Sequence, residues 1–472
     1  MARILFLQPQ QFAYAGLYYI CGTLKSVGHQ YSVLAANRPE TISKHIREFA
    51  PDIIGFPCLT GMHREILAIA SSIKEEFPGA RILLGGIHPT LFPDILRNPN
   101  VDFICRGEGE WPTAELLNAL DAGLSSFDIP NISWKKNGEI FHNEMRPLLD
   151  PLDSLPFPDY SIYRDIPVIA ADTYPTVFMT RGCPFSCTYC HNSNQRKIYK
   201  GKGKYVRSFS PERILDEVEA VISQYPNTTA VFLGADTLGT DLGWLTDLLT
   251  RYRARFDMPY NCLIRPEHIN EELARLLKET NCHMIAFGIE SGSERIRRDL
   301  LRRGYPNKQI MQAAGLLKKY GIRFRTYNII GFPTETPAEM METLRLNLEI
   351  KPDFPWCSIY TPYPETKLSE YSVAHGYLDK NFTYDDVPLS FFNDTVLKNV
   401  DRNFIVNLHS FFQTMVLFPS LTPLLKYLLR IPPNRVFRFL FKAVYSYVCI
   451  RSENRTVVSF LKLALANRKF FK

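Results

Sequence analysis

The sequence predicts an α/β chain: an N-terminal doubly wound, Rossmann-like domain, then a partial (β/α)6 barrel, then a C-terminal helical region. Three observations predict it. Short apolar runs alternate with helical stretches in two separate series, a proline-rich link divides them, and the alternation stops near residue 385. Strands alternating with helices imply parallel sheets, and wholly apolar strands suit burial on both faces. The expected divisions are a first domain over 1–130, a linker over 131–168, a barrel over 169–384 and a helical, basic region over 385–472.

In the first series "RILFLQ" reads as a strand, followed by a helix near 14–28. "YSVLAA" is the second strand, with a helix near 40–49, and "PDIIGF" the third, with a helix near 61–77. "RILLGG" and "VDFICRG" complete the sheet, with a last helix from about Trp111. Ligands of such sheets sit at the carboxyl ends of the strands. Those ends carry "GFPCLTG", "GGIHPT" and "CRGEGE", whose glycines let backbone approach a ligand closely. The link "RPLLDPLDSLPFPDYSIY" follows, and Pro156 and Pro158 favour an extended path there.

The second series begins at "TVFMT" and continues through "AVFLGAD", "PYNCLIR", "HMIAFGIE", "RFRTYNIIGFP" and "FPWCSIYTPYP", with helices between them. Six strand–helix units make most of a parallel barrel, whose chemistry belongs at the carboxyl ends of its strands.

Composition bounds the function. The chain has 472 residues, 46% hydrophobic and 22% charged, an ordinary globular balance that allows two or three domains. No secretory leader and no uncharged apolar run of spanning length are read from it. Most cysteines stand singly in apolar runs, as in a reducing compartment, so a cytoplasmic location is expected and a cysteine cluster implies metal. Residues 401–472 hold 12 Lys and Arg against Asp401 and Glu453, whereas the preceding chain is close to neutral. The segment 403–472 therefore has two readings. One is a helical cap closing the barrel. The other is a peripheral membrane element, on the inner membrane face, drawn to anionic lipid. No nucleic-acid partner is expected.

The strongest local signal is "RGCPFSCTYCHN", directly after the first barrel strand. Cys183, Cys187 and Cys190 fall within eight residues. Three readings compete. Structural core cysteines do not explain three thiols in one Gly–Pro loop. Zinc, with His191 as fourth ligand, needs a closed tetrahedral shell, which adjacent Cys190 and His191 are poorly placed to complete. An iron–sulfur cluster held by three thiolates leaves one iron open to bind a ligand.

This pattern, with the aromatic Tyr189 before the last cysteine, resembles the radical S-adenosylmethionine superfamily over roughly residues 170–370. The resemblance implies a 4Fe–4S cluster on Cys183, Cys187 and Cys190, whose open iron chelates S-adenosylmethionine and leads to a 5′-deoxyadenosyl radical. It also implies an electron donor such as flavodoxin or ferredoxin. Further stretches fit. Gly234 in "FLGAD" matches a family glycine near the methionine amino group, while Ala235 and Asp236 depart from the pattern. Arg265 is placed to pair the methionine carboxylate, with a surface ion pair as its alternative. Glu290 in "GIESGS" is a candidate for the ribose or amine. "GFPTET" and "YTPYPET" resemble family segments, and the first also reads as a turn capping a helix.

The doubly wound domain ahead of this barrel, with "GGIHPT" and "RGEGE", resembles the cobalamin-binding subclass of the superfamily. The DxHxxG lower-ligand motif is absent, which implies cobalamin bound without an axial histidine. Gly85, Gly86, Thr90 and Gly107 are candidates for close backbone approach, and His88 for a place beside the corrin. The implied activity is methylation, or another remodelling, of an unactivated carbon on a small-molecule or lipid substrate, and attachment to a membrane surface through the basic tail would suit a lipid or isoprenoid-like one. The competing functions are a cobalamin-independent enzyme of the methylthiotransferase-like branch and a non-catalytic cobalamin or cluster sensor.

Overall fold

The computed structural model describes residues 1–467. The N-terminal unit runs β1 (Arg3–Gln8), α1 (Ala15–Ser26), β2 (Gln30–Ala35), α2 (Pro39–Phe49), β3 (Ile53–Pro57), α3 (His63–Glu76), β4 (Ile82–Gly85), α4 (Ile87–Leu91), β5 (Phe103–Cys105) and α5 (Glu110–Asp121). The strands lie in the order β2-β1-β3-β4-β5, all parallel. Alternate residues of β1 enter different cores. Ile4 and Phe6 pack with the side bearing α1 and α5, and Leu5 and Leu7 with the side bearing α2 and α3. That two-faced burial is why these strands read as continuous apolar runs.

The sheet does not end at residue 130. A hairpin, β6 (Ile132–Lys136) and β7 (Glu139–His142), extends it with two antiparallel strands. Its turn is Asn137-Gly138, both with positive φ, at 51° and 84°. This is the pair that a tight hairpin turn favours. The stretch expected to be linker is therefore sheet as far as His142.

The true link passes directly over α1. The Asp159 N–H donates to the Tyr18 carbonyl at 2.9 Å. A Cβ at Gly22 would lie 2.2 Å from the Phe157 carbonyl oxygen, so only glycine admits the link there. The short α6 (Pro167–Ala170) then leads into the barrel.

The barrel runs β8 (Thr176–Phe178), β9 (Thr180–Arg181), α7 (Asn192–Ile198), β10 (Arg207–Ser208), α8 (Pro211–Gln224), β11 (Val231–Leu238), α9 (Leu242–Arg255), β12 (Tyr260–Ile264), α10 (Glu271–Glu279) and β13 (Cys282–Glu290). After a π-helical turn at Ile296–Leu300 come α11 (Asn307–Lys319), β14 (Arg323–Ile330), α12 (Pro337–Ile350), β15 (Phe354–Ile359) and α13 (Lys367–Ala374). Six parallel strands, β8-β11-β12-β13-β14-β15, form the open barrel. The expected strand "TVFMT" breaks at Met179, and Thr180 and Arg181 pair instead with β10, antiparallel. The "GFPTET" turn caps α12 through a reciprocal box in which Thr336 and Glu339 serve each other's backbone N–H.

Beyond the barrel every described element is helical: α14 (Arg402–Leu417), α15 (Thr422–Leu428), α16 (Arg435–Ser452) and α17 (Val457–Ala466), with single 3-10 turns between. α14 belongs to the barrel's packing. Its Ile405, Leu408, Phe412 and Met415 share a core with Ile330, Leu344 and Ile359, and Gln413 Nε2 donates to the Pro355 carbonyl at 2.8 Å. The largest core joins both units, running from Ile4, Tyr18 and Leu117 to Val177, Leu215 and Phe287.

Candidate active site

The two sheets point their carboxyl edges at each other across a cavity of about 430 Å3. Its N-terminal wall is made by the loops after β1, β3, β4 and β5, through Tyr14, Cys58, Gly86 and Gly107. Its barrel wall is made by Phe178, Arg181, Gly182, Tyr199, Tyr205 and Asp236. Both sheets thus offer the edges at which parallel α/β folds hold ligands.

The N-terminal wall is built from glycine for two different reasons. A Cβ at Gly85 or Gly16 would meet nothing within 4 Å, so both residues border open cavity space. Gly86 and Gly107 instead have φ of 98° and 76°, and a Cβ at Gly107 would lie 1.8 Å from the Tyr199 hydroxyl. Thr90 does not line the cavity. Its hydroxyl donates to the Gly86 carbonyl at 2.7 Å and accepts from the Gly107 N–H at 2.8 Å, tying the two glycine loops together. His88 is also elsewhere. It is fully buried, stacks on His63 at 4.4 Å, meets Tyr384 edge-on at 5.0 Å, and pairs with Thr60. Among the described residues no histidine lines the cavity. A largely apolar wall floored by glycine fits a corrin held without an axial imidazole.

The cysteine loop, 182–191, borders the same cavity through Gly182, whose φ of 83° and contact with the Tyr205 carbonyl leave no room for a side chain. Several bonds fix its path. Arg196 of α7 donates to the carbonyls of Cys183 and Phe185. The Thr188 hydroxyl donates to Leu300 O at 2.6 Å, and the Leu368 N–H to Thr188 O at 3.0 Å. Cys187 is buried, and Cys183 and Cys190 are half-buried. Burial, with the charges of neighbouring thiols and Asp236, pushes the Cys190 thiol up to about 11. Among the described residues no three His, Cys, Asp or Glu side chains gather round one ion position. A cubane takes each thiolate on a different iron and leaves one iron open, so three thiols on one loop without a fourth fit that cluster. His191 is exposed at the start of α7.

Two guanidinium groups converge on Cys187. Arg265 Nη1 lies 3.8 Å from its sulfur and Arg303 Nη1 4.0 Å. Arg265 is not a surface residue: it is 7% exposed, lies over the Phe185 ring at 3.7 Å, and donates through Nε to Glu267 at 2.6 Å. Arg303 was not singled out from the sequence. It joins several expected residues, with Nη1 3.2 Å from the Tyr189 hydroxyl and 3.3 Å from Glu290 Oε1, and Nη2 donating to the Gly288 carbonyl at 2.9 Å. Glu290 is buried with φ of 65°, and its carboxylate folds back so closely that a Cβ at Gly288 would sit 2.2 Å from it. Gly234 lies farther along, in β11, where a Cβ would press on Thr176 at 2.9 Å. Asp236, two residues on, is exposed and lines the cavity.

The "RGEGE" loop does something the sequence did not disclose. Glu108 takes Arg207 on both oxygens, at 2.6 and 3.2 Å, and Arg181 at 3.1 Å, and Glu110 takes Arg181 at 2.6 Å. The loop clamps the N-terminal unit onto the strand pair from which the cysteine loop departs.

The sequence model described as the radical SAM superfamily matches residues 177–346, and that of the B12 binding domain matches residues 10–117. An uncharacterised methyltransferase of Pyrococcus horikoshii is 32% identical over 342 residues, 71% of this chain and 72% of the relative. The anaerobic magnesium-protoporphyrin IX monomethyl ester cyclase of Rubrivivax gelatinosus is 26% identical, over 78% of this chain and 69% of that protein. Among solved structures, the cobalamin-dependent S-adenosylmethionine radical enzyme OxsB superposes with a TM-score of 0.70 at 15% identity, covering 99% of this chain and 75% of that one. The radical S-adenosylmethionine methyltransferase TsrM of Kitasatospora setae superposes with a TM-score of 0.65 at 15% identity, covering 80% and 77%. These two share the fold. With both sequence models matched in this order and a relative aligned over most of both chains, the protein belongs to the cobalamin-binding radical S-adenosylmethionine enzymes, and its cofactors are a 4Fe–4S cluster, S-adenosylmethionine and cobalamin.

Proposed function

We propose that this enzyme methylates an unactivated carbon of a lipid or isoprenoid-like substrate in the cavity between the two sheets. The observation that carries the reading is the opposition of the glycine-floored N-terminal edge and the cysteine-loop edge across one cavity. In this reading Cys183, Cys187 and Cys190 hold the cluster, and Gly85, Gly86 and Gly107 let the corrin lie against backbone. Arg265, Glu290, Gly234, Asp236 and Tyr189 then bind and orient S-adenosylmethionine. When bound, the cofactors supply a route to a 5′-deoxyadenosyl radical and a carrier for the methyl group. The chain's own contribution is orientation and exclusion of water. Arg303 holds the Glu290 carboxylate in place, and Arg265 and Arg303 set the charge beside Cys187. A flavodoxin or ferredoxin is the proposed electron source.

The relative from Pyrococcus is named a methyltransferase, which supports methylation over the cyclisation named for the Rubrivivax relative. The helical C-terminal region does not provide the RNA-binding barrel of the methylthiotransferase-like branch. The lipid class is supported by the exposed apolar side chains of the C-terminal helices, such as Val458, Leu461 and Leu465 of α17; that helix reaches the cavity's edge, where Asn467 exchanges hydrogen bonds with Gln11, in the loop that carries Tyr14 into the cavity. The test is anaerobic reconstitution with iron, sulfide and cobalamin, followed by S-adenosylmethionine and reductant. Stoichiometric cobalamin and 5′-deoxyadenosine are expected, both lost separately in cavity and cysteine variants. If 5′-deoxyadenosine still forms in the triple Cys→Ala variant, the radical assignment of these cysteines fails.

A further inference from the structure

We propose that α15, α16 and α17 form a docking surface for the face of an anionic lipid bilayer. The proposal stands apart from the catalytic reading and does not depend on which reaction the cavity performs.

Helix α16 has two apolar faces. Phe437, Phe441, Tyr445, Val448 and Cys449 are buried, at the spacing of one helical side. Val436, Phe439, Leu440 and Tyr447 recur on the opposite side and are exposed, Phe439 at 69% and Val436 at 63%. A solvated helix keeps polar residues there. The neighbours repeat the feature, with Leu424 and Tyr427 exposed on α15 and Val457, Val458, Leu461 and Leu465 on α17. Of the nineteen large hydrophobic residues exposed among those described, thirteen fall between Phe418 and Leu465. Exposed apolar groups this concentrated mark an interaction surface.

The charge identifies the partner. Lys426, Arg430, Arg435, Arg438, Lys442 and Arg451 lie among these residues, and among the described residues none has a carboxylate partner. On α16, Arg435, Arg438 and Lys442 follow one another at helical spacing along one flank of the exposed apolar stripe. Apolar side chains beside unneutralised cations of one sign suit the boundary of an anionic bilayer, where the former enter the acyl region and the latter meet headgroups. The contact is interfacial, since no described helix is long and apolar enough to cross a membrane. The inner helix α14, buried in the barrel's core, anchors this surface to the catalytic body.

The experiment uses the full-length, cluster-loaded protein under anaerobic conditions. It measures co-sedimentation with sucrose-loaded vesicles of phosphatidylcholine alone or with a phosphatidylglycerol fraction. The wild type is expected on the anionic vesicles at low salt and to leave them as salt rises. Phe439→Ser is expected to weaken partition about tenfold on either lipid. Arg435→Gln with Arg438→Gln is expected to lower it about tenfold or more on anionic vesicles only. All these side chains are exposed, and the cluster's absorption spectrum confirms that each variant is folded. Equal recovery of the wild type with and without anionic vesicles overturns the proposal. So does concentration-dependent self-association without lipid that Phe439→Ser abolishes, because the face is then an interface between copies of this chain.

Discussion

Glu108 holds Arg207 with both carboxylate oxygens, at 2.6 and 3.2 Å, across the boundary between the two units. The same carboxylate reaches Arg181, two residues before the first cysteine.

Glu108→Gln should therefore loosen the cysteine loop as well as the domain junction. Arg207 is 3% exposed, so removing its partner leaves a buried charge and should cost about 3 kcal/mol. Thermal unfolding should report the loss, and iron content after reconstitution should fall with it. A variant with wild-type unfolding and full iron content would show that the clamp holds nothing in place.

The same carboxylate gives an acid limb. Burial alone would raise it, but Arg181 and Arg207 outweigh burial and hold Glu108 below the ordinary glutamate value. A depressed carboxyl contributes stability that is complete above its unfolded value and lost as pH falls through its folded one. Unfolding temperature should drop below the ordinary glutamate range in the wild type and less steeply in Glu108→Gln.

Glu335 predicts the opposite slope. Burial pushes its carboxyl up to about 8, although it accepts from the N–H groups of Gly331 and Phe332 and from the Ser291 hydroxyl. A raised carboxyl lowers stability progressively as pH rises from its unfolded value to its folded one. Glu335→Gln keeps an acceptor oxygen and removes the charge. It should gain stability relative to the wild type between about pH 5 and about pH 9, read as diverging melting curves. Parallel curves would sink the assignment.

Gly85→Leu separates folding from cofactor retention. A side chain there enters open space rather than protein. Unfolding should stay within about 1 kcal/mol of the wild type, while bound cobalamin, read from the visible spectrum, is lost. Gly107→Ala is its contrast: with a positive φ and the Tyr199 hydroxyl in the way, it should destabilise by about 2 kcal/mol or more.

Arg303→Met should leave the buried Glu290 carboxylate without its guanidinium and weaken S-adenosylmethionine binding about tenfold or more. It also removes one of the two N–H groups near Cys187, so the reduction potential of the loaded cluster should move to more negative values in an EPR-monitored titration. An unchanged potential would confine Arg303 to a packing role.

Much of this was legible in the sequence where local pattern and tertiary burial agree. Strands buried on both faces, such as β1 and β13, read as apolar runs because all but one residue in each, Arg3 and His283, is buried. The β6–β7 hairpin is marked in the sequence only by Lys136-Asn137-Gly138-Glu139, and its short, partly polar strands beside a proline-rich stretch carry no apolar run of the kind that marks the buried strands. Arg303 was hidden in "LLRRGYP", where two adjacent arginines look alike and burial alone tells them apart: Arg303 is 7% exposed and Arg302 is exposed. His88 is expected beside the corrin because it follows a glycine pair at a strand's carboxyl end, yet it turns away from the cavity and stacks on His63. Glu108 and Glu110 sat within a glycine-rich loop, and no spacing in the chain announces partners about seventy to a hundred residues away.

The core that runs unbroken from β1 to β13 bears on how such enzymes can be recombined. Tyr18 meets Tyr225 hydroxyl to hydroxyl at 2.7 Å, and Glu217 of α8 accepts from both Tyr19 of α1 and Tyr160 of the link. A chimera cut at the link would inherit one half of this lock and not the other. Exchange of the N-terminal unit between relatives therefore requires the outward face of α1, the link and the inward face of α8 to travel together, which makes these three segments, rather than the two sheets, the heritable module.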